Sequence, residues 1–213
     1  MKLIKCECCG GNKLRKYKSD YMMCEFCGSL YQLDKKTEAV VSKKTVEERI
    51  MSIFTDAERC CNSKRYKDAV NILKKAVRID ENNALVWVKL GKAYRECDMQ
   101  DEALECYNKA ISIDPDFPTA YSNIGTIFIL RGDYQAALEK FEKALSLMST
   151  KDGDYPTVLA NYGVAVGNTG DKKQAAILIN KAENQGYPNA VEARKMAGLS
   201  SYIQFTSWLF NKK

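Results

Sequence analysis

From residue 46 onward, apolar residues return every three or four positions, the period that places them on one face of a helix. The stretch before it is patterned differently. Residues 13–23, KLRKYKSDYMM, predict two short strands around a Ser19-Asp20 turn, and residues 34–45, DKKTEAVVSKKT, carry many charges at weak periodicity and are expected to be a linker. Past Pro188, NAVEARKMAG predicts one more helix. Leu199, Tyr202, Phe205 and Leu209 then mark one face of a final segment, expected to pack against the helices, with partner or membrane-surface contact as its alternative.

The helical region repeats itself. Residues 84–115, ALVWVKLGKAYRECDMQDEALECYNKAISIDP, contain Trp87, Leu90, Gly91, Tyr94, Ala103, Tyr107, Ala110 and Pro115. Thirty-four residues later the same places hold Tyr121, Ile124, Gly125, Phe128, Ala137, Phe141 and Ala144, with Ser149 in place of the proline. Thirty-four residues earlier they hold Ile53, Asp56, Ala57, Cys60, Ala69, Leu73 and Ala76, where Asp56 is the clear departure. After a four-residue insertion around KDGD they hold Leu159, Tyr162, Gly163, Val166, Ala175, Ile179 and Ala182. Small residues such as Gly91, Ala103 and Ala110 let paired helices approach, while Trp87, Tyr94 and Tyr107 fill the space between neighbours. A single pair leaves an apolar face open, so the pairs are expected to stack.

This set of residues at this spacing resembles the tetratricopeptide repeat (TPR) family. The resemblance implies an array over residues 46–188, with repeats at about 46–83, 84–117, 118–151 and 156–188, and a capping helix and tail over 189–213. It also implies that the first helix of each pair lines a concave groove that binds a protein or peptide.

Cysteine spacing adds a second module. Cys6 and Cys9, then Cys24 and Cys27 after fourteen intervening residues, form two C-x2-C pairs, each followed by a glycine, Gly10 and Gly28. The pattern resembles the zinc ribbon, a small module with four cysteine ligands, over residues 1–33. Four thiolates without histidine imply one closed, structural Zn2+ site with no open position for a catalytic water, and iron in a rubredoxin-like site is the alternative metal. So short a segment cannot bury enough apolar surface alone, and metal binding must supply much of its folding energy. Cys8 fits neither pair: it is either a spare thiol or a redox-sensing one. The expected fold is therefore mainly α, a TPR-type α-solenoid of about four helix pairs plus a capping helix, with a small N-terminal β zinc ribbon.

The resemblance places Lys89, Asn123 and Asn161 at one groove-facing position of successive first helices, with Lys92 one turn further on and Thr55 at that place in the first repeat. Two asparagines in register resemble the asparagine ladders with which some family members hold peptide backbones, since an amide donates and accepts at once. The lysine, asparagine and arginine clamp for carboxyl-terminal peptides is not reproduced in full, so chaperone-tail binding is not implied. For Lys92 an alternative exists. Glu58 occupies the equivalent place one repeat earlier, which predicts an exposed inter-repeat ion pair.

The formal charge of +6 falls to about +4 once four thiolates and one divalent ion are counted. That is only mildly basic. Lys13, Arg15, Lys16 and Lys18, with Tyr17 among them, could contact the phosphates of a nucleic acid, but lysines on a solvated edge strand also discourage strand pairing. No histidine and no glycine-rich phosphate loop are present, which argues against an enzyme. The first residues lack a signal-peptide run, and no stretch reaches the roughly 18 apolar residues of a membrane span. The expectation is a cytoplasmic, non-enzymatic scaffold that binds a protein or peptide. A nucleic-acid-associated adaptor using the ribbon and a thiol redox sensor centred on Cys8 are the rival readings.

Overall fold

A computed structural model describes residues 14–18, 21–25, 27, 28, 30–32 and 46–199. Cys6, Cys8, Cys9, Lys13, the expected linker 34–45 and the tail residues Tyr202, Phe205 and Leu209 lie outside the described residues. The described chain is mainly α-helical and divides into two compact units, residues 1–103 and 104–213.

The first unit begins with a three-stranded antiparallel sheet, in order β1 (Leu14–Lys18), β2 (Tyr21–Cys24) and β3 (Leu30–Gln32). Leu14 faces Cys24 and Lys18 faces Tyr21, with a register shift between Lys16 and Lys18. The two strands expected from the sequence pair as a hairpin, and β3 adds to β2 with Tyr21 opposite Gln32. Three residues are too few to show alternation, which is why β3 was not predictable from pattern.

Helices α1 (Val46–Asn62), α2 (Tyr66–Ile79) and α3 (Ala84–Glu96) follow. The division between units falls within α4 (Gln100–Ile113). In α1 the spacing of Ile50, Phe54, Ala57 and Cys60 makes one buried stripe, and α2 answers it with Ala69, Leu73 and Ala76. The departure at Asp56 is now accounted for. It is exposed and paired with Arg59 at 2.5 Å, while Phe54, only 6% exposed, fills the core instead. Helix α3 starts where the Asn83 side chain accepts from the amides of Leu85 (3.1 Å) and Val86 (3.4 Å).

The second unit contains α5 (Pro118–Arg131), α6 (Tyr134–Leu147), α7 (Tyr155–Asn168), α8 (Lys172–Asn184) and the short α9 (Ala190–Met196). Pro118 opens α5 and Gly132, with φ of 78°, ends it in the left-handed region. Asp133 and Asp171 cap α6 and α8 by accepting from the amides of Ala136 (3.2 Å) and Gln174 (2.8 Å). The core of this unit joins Ala137, Phe141 and Ala144 of α6 to Val158 and Ala165 of α7, and continues through Ile179 of α8 to Ala193, Ala197 and Leu199. Expected interior positions Ala175, Ile179 and Ala182 are fully buried.

The repetition extends to individual hydrogen bonds. Trp87 Nε1 donates to the carbonyl of Glu81 at 2.7 Å, and 34 residues on the Tyr121 hydroxyl donates to the carbonyl of Pro115 at 3.0 Å. Asp80 accepts from the amide of Asn82 (3.2 Å) as Asp114 accepts from that of Asp116 (3.1 Å). The aromatic side chain at this repeat position thus ties α3 and α5 each to the turn that precedes it.

Candidate functional site

Cys24 closes β2 and is 1% exposed, and Cys27 lies three residues further on the turn. The turn is closed by the Gly28 amide donating to the Cys24 carbonyl at 2.8 Å, and Gly28 adopts φ of 73°, where a side chain would strain the backbone. A knuckle of this form presents two thiols from one tight turn and suits a tetrahedral thiolate metal site. Among the described residues no group of three or more His, Cys, Asp or Glu gathers, and the other two cysteines of the expected set, Cys6 and Cys9, lie outside them. Arg15, Lys16 and Lys18 belong to β1, which among the described residues pairs with β2.

The knuckle is not isolated from the helices of its unit. Arg49 of α1 reaches it, with Nη2 donating to the Cys27 carbonyl at 3.2 Å.

Lys89 of α3 turns back to α1. Its Nζ lies 2.8 Å from Glu58 Oε1 and 5.5 Å from the centre of the Phe54 ring. Lys89 donates to Glu58 and, with its charge, holds that carboxyl below the usual glutamate value, and Lys92 adds a smaller pull in the same direction. The inter-repeat ion pair expected between Glu58 and Lys92 is thus made by Lys89. The reason is register: Lys89 stands one turn closer to the start of α3, where the chain comes level with Glu58, and Lys92 is left exposed. Burial pushes the Cys61 thiol above its ordinary value, with Lys92 opposing that shift, and burial does the same to Cys97.

In the second unit α5 touches α7, and each brings an asparagine from the same repeat position. Asn123 Nδ2 donates to the carbonyl of Thr119 at 2.9 Å, so one donor of its amide is engaged within α5. Asn161 is half-buried, and its side chain makes no hydrogen bond among the described residues. Beside it, the Tyr162 hydroxyl donates to Glu142 Oε1 at 2.9 Å. Burial, with a lesser contribution from that carboxylate, pushes the phenol pKa up, so Tyr162 keeps its proton and its donor role.

Sequence reasoning missed Phe54, Glu58 as the partner of Lys89, and Arg49. Only Phe54 left a signal, since it continues the buried stripe of Ile50 and Ala57 at helical spacing.

Residues 91–130 match the family model described as TPR repeat, and residues 118–151 match that of the tetratricopeptide repeat. The chain therefore carries TPR repeats. It is 27% identical over 106 residues to tetratricopeptide repeat protein 37 of Xenopus laevis, covering 48% of this chain and 7% of that protein. Likewise it is 26% identical over 121 residues to the peroxisomal targeting signal receptor of Candida albicans, covering 57% of this chain and 20% of that one. A third relative, small glutamine-rich tetratricopeptide repeat-containing protein 2 of Mycosarcoma maydis, is 26% identical over 92 residues, covering 43% of this chain and 26% of its own length. The chain thus spans a minor part of each of these relatives. Among solved structures, the type IV pilus biogenesis factor PilW superposes with a TM-score of 0.61 at 21% identity, covering 70% of each chain. MamA superposes with a TM-score of 0.53 at 22% identity, covering 64% of this chain and 77% of its own. These likenesses establish a TPR-type fold.

Proposed function

We propose that this chain is a cytoplasmic, non-enzymatic interaction module that binds an extended peptide or protein segment on the first helices of its repeats. The observation that carries this reading is Asn161, whose half-buried amide makes no hydrogen bond among the described residues on a helix adjoining the one that bears Asn123. A primary amide there can donate to one peptide carbonyl and accept from one peptide amide, which favours backbone recognition over side-chain readout. The relatives named peroxisomal targeting signal receptors support the reading, since by name they are receptors for a targeting signal. In the first unit Lys92 is exposed, while Lys89 is engaged by Glu58.

The amino-terminal ribbon holds one zinc ion through Cys6, Cys9, Cys24 and Cys27. Its support is the Cys24 to Cys27 knuckle, with the amide of Gly28 closing the turn at 2.8 Å. The ion would supply folding energy to a segment too small to fold on its core.

The peptide reading is tested with a panel of labelled extended peptides, acidic and neutral, titrated against the full chain by fluorescence anisotropy. Asn123→Ala combined with Asn161→Ala is expected to weaken binding by about 1 to 3 kcal/mol, the range for stranding polar partners, with thermal stability little changed. Binding that survives this double variant but is lost on replacing exposed Glu139 of the second helix α6 would place the site elsewhere.

A further inference from the structure

Arg49 is the feature of the helical region that the peptide reading leaves unused. It stands in the first turn of α1, and its Nη2 donates to the Cys27 carbonyl across 22 residues of sequence. Its Nη1 is buried and makes no hydrogen bond among the described residues. Because Nη1 and Nη2 are bonded to the same carbon, this desolvated donor also lies close to the knuckle. An arginine keeps its charge at any physiological pH, and its planar fork suits an anion better than a lone carbonyl.

A divalent ion held by four thiolates carries a net charge of minus two, which a small ribbon with few apolar residues can shield only in part. A guanidinium held against the backbone of one ligand lowers that cost, and it orients the ligand through the carbonyl it binds. We infer that Arg49 is the positioning residue of the thiolate metal site, fixing the Cys24 to Cys27 knuckle onto α1 and coupling metal retention to the order of that helix. The inference rests on the zinc reading above.

Zinc transfer from the reduced 213-residue chain to a chromophoric chelator measures it. Arg49→Gln is expected to release zinc about tenfold faster than the parent, the lower end of the effect of removing an outer-shell partner. Arg59→Gln, which removes the same charge from an exposed position of the same helix, is expected to release at the parental rate. Arg49→Lys keeps the charge and much of the stem, and is expected to fall between the two. Amide exchange supplies the second readout. Chelation of the parent is expected to speed exchange over residues 46–52 while sparing α2, and Arg49→Gln to show that fast exchange before chelation. Equal release from Arg49→Gln, Arg49→Lys and Arg59→Gln, with the parent carrying one zinc, would overturn the role of Arg49 and leave the metal site standing. A parent that carries no metal would overturn both.

Discussion

Gly125 of α5 lies against the ring of Phe141 of α6. A Cβ built at residue 125 would meet Phe141 Cε1 and Cζ at 2.9 Å, closer than real Cβ contacts come, and the ring is fully buried and cannot swing away. Gly125→Ala is therefore expected to lower stability by about 1 to 3 kcal/mol. That outcome opposes the gain of about 1 kcal/mol in helix propensity that alanine brings. Gly153 has nothing within 4 Å of its built Cβ, so Gly153→Ala should stay within about 0.5 kcal/mol of the parent. Denaturant midpoints of the two variants decide the matter. If Phe141→Leu makes room, the Gly125→Ala penalty should shrink in the double variant.

Lys172 joins α8 to two other segments. Its Nζ donates to the carbonyls of Gly167 (2.6 Å) at the end of α7 and Ala197 (2.7 Å) just past α9. A cation between two carbonyls satisfies two helix ends at once. Lys172→Met keeps the apolar stem and strands both acceptors, with an expected loss of about 1 to 3 kcal/mol. Amide exchange should rise over residues 190–199 and leave α1 and α2 unchanged. Asn168, whose Nδ2 also donates to the Met196 carbonyl at 2.8 Å, should keep the segment from being released altogether.

These two contacts also show how far the sequence could be read. Gly125 and Phe141 occupy repeat positions where small and large residues recur at a fixed period, so their places in the repeat were legible without coordinates, while their direct contact comes from the structure. The same holds for Ala175, Ile179 and Ala182 on α8, all buried as expected. Lys172 gave no such signal, because its carbonyl partners belong to the chain ends of other helices and carbonyls have no sequence signature. Asp56 broke the 34-residue pattern and faces solvent, and Phe54 takes over the interior, a place its helical spacing from Ile50 and Ala57 signals although the repeat pattern does not. The pairing of Lys89 with Glu58 turned on a one-turn offset between α1 and α3, which residue spacing alone does not resolve.

That ion pair has a pH signature. Lys89 lowers the folded-state pKa of Glu58 below the ordinary 4.5, so the unfolded chain takes up the proton first. The stabilisation is complete above the unfolded value and is lost as pH falls through the lower folded one. With side-chain exposures of 35% for Lys89 and 62% for Glu58, the pair should contribute less than about 1 kcal/mol and weaken in salt. Glu58→Gln is expected to match the parent in acid and to fall slightly below it at neutral pH. A gap between the two proteins that widens toward acid would contradict the assignment.

Thiol labelling under native conditions bears on the metal site. Of the five cysteines outside the expected ligand set, Cys60 and Cys106 are buried, and burial raises the pKa of Cys61 and Cys97, which lowers their thiolate fraction at neutral pH. If Cys6, Cys9, Cys24 and Cys27 hold zinc, none of the four should react rapidly with an alkylating agent while the ion is bound. Rapid labelling is then left to Cys8, with Cys61 and Cys97 following slowly. After chelation, mass spectrometry should show four further adducts, placed on those four residues. The helical circular dichroism of residues 46–199 should persist almost unchanged, because the helix pairs bury their own core. Labelling of Cys24 and Cys27 in reduced protein before any chelator is added would exclude them as ligands. A collapse of the whole helical signal on chelation would show instead that ribbon and repeats unfold as one cooperative unit.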